Sequence, residues 1–133
     1  MNSFTWGNDA LTLWFSWDND LPVCISEAKA GNVDVAFAHR IPLVELEVAG
    51  TGHWIACDRL IQTSLGADLR YVDHRESETN GIKRLDVTLA DKKAGVEVTM
   101  TYRLPAGVPM FQSFATVKNI SDNADKPLSV EQV

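Results

Sequence analysis

The chain has 133 residues, 45% hydrophobic and 23% charged, a composition that fits one globular domain and excludes the disordered and low-complexity classes. Its 18 acidic and 12 basic residues give a formal net charge of −6, so the average field repels phosphate backbones and anionic membrane surfaces and argues against a nucleic-acid partner. Met1–Gly7 has no basic region leading into an apolar stretch, which sets a cytoplasmic expectation, and no hydrophobic run reaches the roughly 18 residues of a membrane span.

A strand that is wet on one side places apolar residues at every second position. The first such run is Leu11-Thr12-Leu13-Trp14-Phe15, followed by turn chemistry at Asp18-Asn19-Asp20 and Ala30-Gly31-Asn32. Val44-Glu45-Leu46-Glu47-Val48 repeats the period and ends at the Gly-rich turn Ala49-Gly50-Thr51-Gly52. Asp58 to Leu69 is the one stretch with helical spacing, through Leu60, Ile61 and Leu65, but Thr63, Ser64 and Gly66 weaken it to a turn or two.

Past the Thr79-Asn80-Gly81 turn, Leu85, Val87 and Leu89 alternate with Asp86 and Thr88. Val96, Val98, Met100, Tyr102 and Leu104 then alternate with Glu97, Thr99, Thr101 and Arg103. With Asp91-Lys92-Lys93-Ala94-Gly95 between them, residues 83–104 read as a β-hairpin. Phe111 to Val117 is a further strand, flanked by loop chemistry at Pro105 to Pro109 and Asn119 to Asp125, and Pro127 to Val133 starts another. The chain stops inside that last alternation, which reads as a truncated piece of a longer protein. The spacing predicts an all-β fold, an antiparallel β-sandwich, and the absence of any composition shift predicts a single domain over 1–133.

The search for chemistry is largely negative. There is no G-x-S-x-G elbow, and Ala49 to His53 lacks the Lys of a phosphate loop, so no catalytic residue is assigned. His39, His53 and His74 are spaced like no ligand set, and neither a metal nor another cofactor is expected. Cys24 and Cys57 read as reduced thiols packed as small hydrophobes, with a disulfide or zinc site as weaker alternatives. Flat apolar rings fill cores and also bind the C–H faces of sugars. Core packing is expected of Trp6, Trp14 and Trp17, whereas Trp54, just after the Gly-rich turn, is a candidate substrate contact.

Several blocks together resemble the amino-terminal region of glycoside hydrolase family 36 α-galactosidases. They are Leu13-Trp14-Phe15 to Asp20-Leu21-Pro22-Val23, Pro42-Leu43-Val44-Glu45 to Gly52, and Gly66 to His74. Leu85-Asp86-Val87, Gly95 to Thr99, Gly107-Val108-Pro109, Val117-Lys118-Asn119 and Leu128 to Val133 continue the likeness in the same order. The resemblance implies part of a β-supersandwich standing before a (β/α)₈ barrel that hydrolyses terminal α-linked galactose from oligosaccharides such as raffinose and melibiose.

Retaining hydrolysis uses two carboxyl groups about 5 to 5.5 Å apart. The family carries both in barrel motifs, a Lys-aromatic-Asp and a Gly-Gly-Arg-x-Asp, that do not occur in this sequence, so the chain alone is expected to be inactive. Arg40, before Ile41-Pro42, matches an Arg-x-Pro element in a loop that reaches the sugar pocket, which makes it a second candidate substrate contact. The implied partners are the catalytic barrel of the parent chain, α-galactoside oligosaccharides through the whole enzyme, and further copies in a homo-oligomer. The alternative is an independent carbohydrate-binding β-sandwich using Trp54 or another exposed aromatic, followed by a plain interaction module.

Overall fold

The computed structural model describes residues 1–48, 65–122 and 130–133. The fold is all-β: two four-stranded antiparallel sheets pack face to face as a sandwich. The first sheet runs β1 (Asn2–Gly7), β2 (Thr12–Asp18), β3 (Leu21–Ala30) and β4 (Val33–Ala36) in spatial order. A short β5 (Glu47–Val48) comes next. The second sheet is the meander β6 (Arg70–Thr79), β7 (Ile82–Asp91), β8 (Val96–Pro105) and β9 (Gln112–Asn119), and β10 (Val130–Gln132) pairs antiparallel with β5. Of the helix-like stretch 58–69, the described part is a 3-10 turn at Gly66–Asp68.

The predicted hairpin over 83–104 is β7 and β8, joined through a turn that Gly95 closes with φ 72°. Val96, Val98, Met100, Tyr102 and Leu104 all face inward and are buried, as their period of two requires. The Thr79-Asn80-Gly81 signal becomes a two-residue hairpin turn: Thr79 pairs with Ile82, and Asn80 (φ 52°) and Gly81 (φ 75°) take the left-handed conformation that matches the strand twist. Val44, Leu46 and Val48 are buried as the alternation implies, and among the described residues Glu47–Val48 is the part that pairs as a strand, with β10.

Leu13 and Phe15 of β2 face the second sheet and are buried. Trp6 joins them in the core, and Trp17 packs at its margin. The expectation for Trp14 is corrected: it is only half-buried, because the pleat turns it to the face opposite Leu13 and Phe15. β2 and β3 also slip register, with Trp14 opposite Glu27 but Phe15 opposite Ile25, which leaves Ser26 as a bulge.

One side of the interface between the sheets is sealed by rings. Phe4 stacks on Phe15 at 4.8 Å and on His74 of β6 at 3.9 Å, while Trp17 stacks on Tyr71 at 4.1 Å. The Tyr71 hydroxyl lies 2.7 Å from His74 Nδ1, which fixes the orientation of both rings. At the β1–β2 turn, Asn8 Oδ1 accepts from the main-chain N–H groups of Ala10 and Leu11, and its Nδ2 donates to Pro105 O at 2.7 Å. Lys83 Nζ donates to Gly7 O at 2.7 Å, so the second sheet clasps this turn from two strands. Gly7 has no alternative there, since a Cβ would collide with the main chain of Leu11.

Candidate functional site

On the other side the sheets part. A cleft of about 560 Å³ opens between them, inside the usual 300–1,000 Å³ range of small-ligand sites. Leu13 and Ile25 of the first sheet, Leu11 at the end of the β1–β2 turn and Tyr102 of β8 are among its lining. Phe37, His39, Ile41 and Leu43 form one wall, and Pro109, Met110 and Phe111 form another.

The first wall is a strap that leaves β4 and runs back along β3. Its ends are held by main-chain hydrogen bonds, Phe37 N–H to Ser26 O at 3.0 Å and Leu43 N–H to Val23 O at 3.2 Å. Its middle is held by Arg40. Nη2 donates to Ser16 O at 3.1 Å and Pro22 O at 3.2 Å, while Nη1 makes longer contacts with Ser16 Oγ at 3.4 Å and Met1 Sδ at 3.7 Å. Nε is buried without a hydrogen-bond partner. A guanidinium holding two carbonyls of the β2–β3 hairpin is a clamp on main chain, because its rigid fork fixes both acceptors at once.

The cleft is apolar in character. Among the described residues its lining includes no Asp, Glu, Lys or Arg, and its polar groups come from Tyr102, His39 and Ser113. Burial pushes the Tyr102 hydroxyl well above the usual tyrosine range, so it stays neutral. Such a cavity can hold apolar surface and orient one or two hydroxyls, but it offers no carboxylate pair for glycoside chemistry.

A pair of interacting carboxyls lies elsewhere, on the exposed β3–β4 ribbon. Glu27 is raised above the ordinary carboxylate value by its hydrogen bond with Asp34, with slight desolvation and the neighbouring negative charge acting in the same direction. Among the described residues, no group of three or more His, Cys, Asp or Glu is placed to hold a metal ion.

Of the residues singled out in the sequence, Arg40 lies beside the cleft and positions its strap, while His74 is built into the ring stack 3.9 Å from Phe4. Cys24 is a buried free thiol, 3.4 Å from Ser16 Oγ. Trp54, His53, Cys57 and the Gly-rich turn at 49–52 lie outside the described residues. Sequence reasoning missed Phe37, Ile41 and Met110, which stand exposed at the cleft. A signal was present in Phe37-Ala38-His39-Arg40-Ile41, where large residues recur at every second position.

No helix among the described residues is long and apolar enough to cross a membrane. No profile of a known protein family matches the chain. No curated protein matches it either. Among solved structures, the fold is similar to part of a glycoside hydrolase family 36 α-galactosidase from Geobacillus stearothermophilus, a point variant determined in complex with 1-deoxygalactonojirimycin. The two share 16% sequence identity at a TM-score of 0.55, over 89% of this chain and 22% of that one. At this identity the likeness is one of fold, and the chain spans less than a quarter of the length of the enzyme it is similar to.

Proposed function

We propose that this chain is a single non-catalytic β-sandwich domain of a larger cytoplasmic glycoside hydrolase acting on terminal α-galactosides. It would serve the parent enzyme's stability and assembly and shape one side of its sugar pocket. The observation that carries this reading is the fold likeness to part of an α-galactosidase across 89% of the chain. The quoted sequence blocks support it. The composition of the cleft does too, since its apolar walls suit packing against protein better than bond cleavage.

In this reading the strap and the exposed Ile41 and Met110 form the face on which the catalytic barrel packs, with homo-oligomer contacts as a second use of apolar surface. Arg40 contributes through position. Its Nη1, whose contacts are long at 3.4 and 3.7 Å, is the group free to turn toward a sugar hydroxyl while Nη2 holds the hairpin carbonyls. Trp54 is proposed as the second sugar contact.

The gene tests the reading directly. An open frame that runs past the Val133 codon into a barrel-encoding segment is the expected result, and a stop codon at that point would overturn the proposal. Incubation of the isolated chain with p-nitrophenyl α-galactoside should release no nitrophenol above background. Sustained turnover would equally sink a non-catalytic role.

A further inference from the structure

The outer face of the second sheet carries one large ring in a field of polar side chains. Register places Thr101 of β8 opposite Phe114 of β9 and opposite Asp86 of β7, so the three form a row across the sheet. Thr101 faces away from the core yet is only 2% exposed, whereas Phe114 beside it is 49% exposed. The floor under this row is fixed. Arg84 donates to both carboxylate oxygens of Asp86 at 2.9 and 3.1 Å, and the Thr101 hydroxyl donates to Asp86 Oδ1 at 2.6 Å.

In the next row Gln112 of β9 stands opposite Arg103 of β8, both exposed on the same face as Phe114. Arg103 makes no ion pair or side-chain hydrogen bond among the described residues, so its donors are open to a ligand. On the other side of Phe114, Thr116 pairs with Thr99 and supplies hydroxyls.

We propose that this face binds a neutral pyranoside, with the sugar's C–H face on Phe114 and its hydroxyls on Arg103, Gln112 and Thr116. A half-exposed ring gains from an apolar ligand face, Gln112 and Thr116 can both accept from and donate to hydroxyls, and Arg103 can donate to them. Polyanions are disfavoured by the chain's net charge of −6. A protein partner is disfavoured because one ring among polar residues is too little apolar surface for the centre of an interface. The platform itself is independent of the function proposed above, but the choice of a sugar as its ligand rests on that reading.

The test is titration of the isotopically labelled chain with methyl α-D-galactopyranoside and with raffinose, followed by amide chemical shifts. Saturable shifts should centre on residues 112–116 and 101–103, at millimolar affinity because the face is shallow. Phe114→Ala should weaken binding about tenfold, and Phe114→Trp should preserve it. Both variants should keep the wild-type circular dichroism spectrum, since the ring is half-exposed. Absence of saturable shifts would overturn the site while leaving the accessory-domain reading to the gene test. Shifts centred on Phe37 and Met110 that survive Phe114→Ala would overturn it as well, and would place sugar binding in the cleft.

Discussion

The two sides of the sandwich solve the same problem differently. On the side of β1 and β6, Phe4, Trp17, Tyr71 and His74 interlock across the sheets, so apolar surface is covered by rings, and the Tyr71 hydroxyl meets His74 Nδ1. On the side of the strap, main-chain bonds and Arg40 fasten the strap to the first sheet, and Ile41 remains 68% exposed beside an open cleft. The contrast shows that burial here is not uniform. One margin is finished by the chain's own residues, and the other presents apolar groups outward in a fixed geometry.

The largest test of this contrast is Phe15→Ala. Phe15 is fully buried, stacks on Phe4 and meets Tyr102 edge-on at 5.6 Å, so it links the closed margin to the floor of the open one. Its loss should cost about 3–5 kcal/mol in urea unfolding. A loss below about 1 kcal/mol would mean that the two margins are not mechanically joined.

A sharper comparison sets Arg40→Ala against Ile41→Ser, neighbours on one strap. Removing the clamp leaves the Ser16 and Pro22 carbonyls short of a donor and should cost about 1–3 kcal/mol. Ile41→Ser should change stability by no more than about 0.5 kcal/mol, because the side chain is already in water, while reducing binding of an apolar dye such as ANS. Equal destabilisation by the two changes would refute the view that the strap is held from behind and open in front.

The smallest effect concerns acid. Burial pushes the Asp86 carboxyl up, but hydrogen bonds from Arg84 and Thr101, with the charge of Arg84, more than offset this and hold it below the ordinary carboxylate value. A depressed folded-state value means the contribution is present above the unfolded Asp value of about 3.9 and is lost as pH falls through the folded one. Asp86→Asn should therefore flatten the acid limb of a melting-temperature profile below about pH 4 and leave the closed margin's ring stack untouched. An unchanged limb would show that the Arg84–Asp86 pair, half-exposed as it is, contributes nothing measurable.

What the sequence revealed follows from which strands have one wet face. β7 and β8 are central, so their inward rows are wholly apolar and their outward rows polar, and the hairpin could be read residue by residue. β6 could not, because it is an edge strand whose Asp73, Arg75, Glu76 and Glu78 put charge on both faces and hide the period. β3 was missed because the bulge at Ser26 shifts its alternation midway. Trp14 misled because a tryptophan usually reads as core, whereas its place in the pleat decides otherwise. The cleft was illegible for a different reason. Its walls come from segments more than 60 positions apart, and the bonds that hold its strap end on main-chain oxygens, which no side-chain pattern announces.

The turn at Asn80-Gly81 also bears on how the chain acquires its shape. With two residues between β6 and β7, and β8 and β9 following by neighbouring pairings, the second sheet can zip from local contacts at little loop-closure cost. The first sheet is equally local within itself, since β2–β3 and β3–β4 each turn in two residues, so the long-range step is the docking of one sheet on the other, guided by the Asn8 and Lys83 clasps that tie residues about 75 to 100 positions apart. A nascent polypeptide would accordingly be able to pair its amino-terminal strands early, yet leave their apolar face uncovered until the second meander has emerged to dock on it.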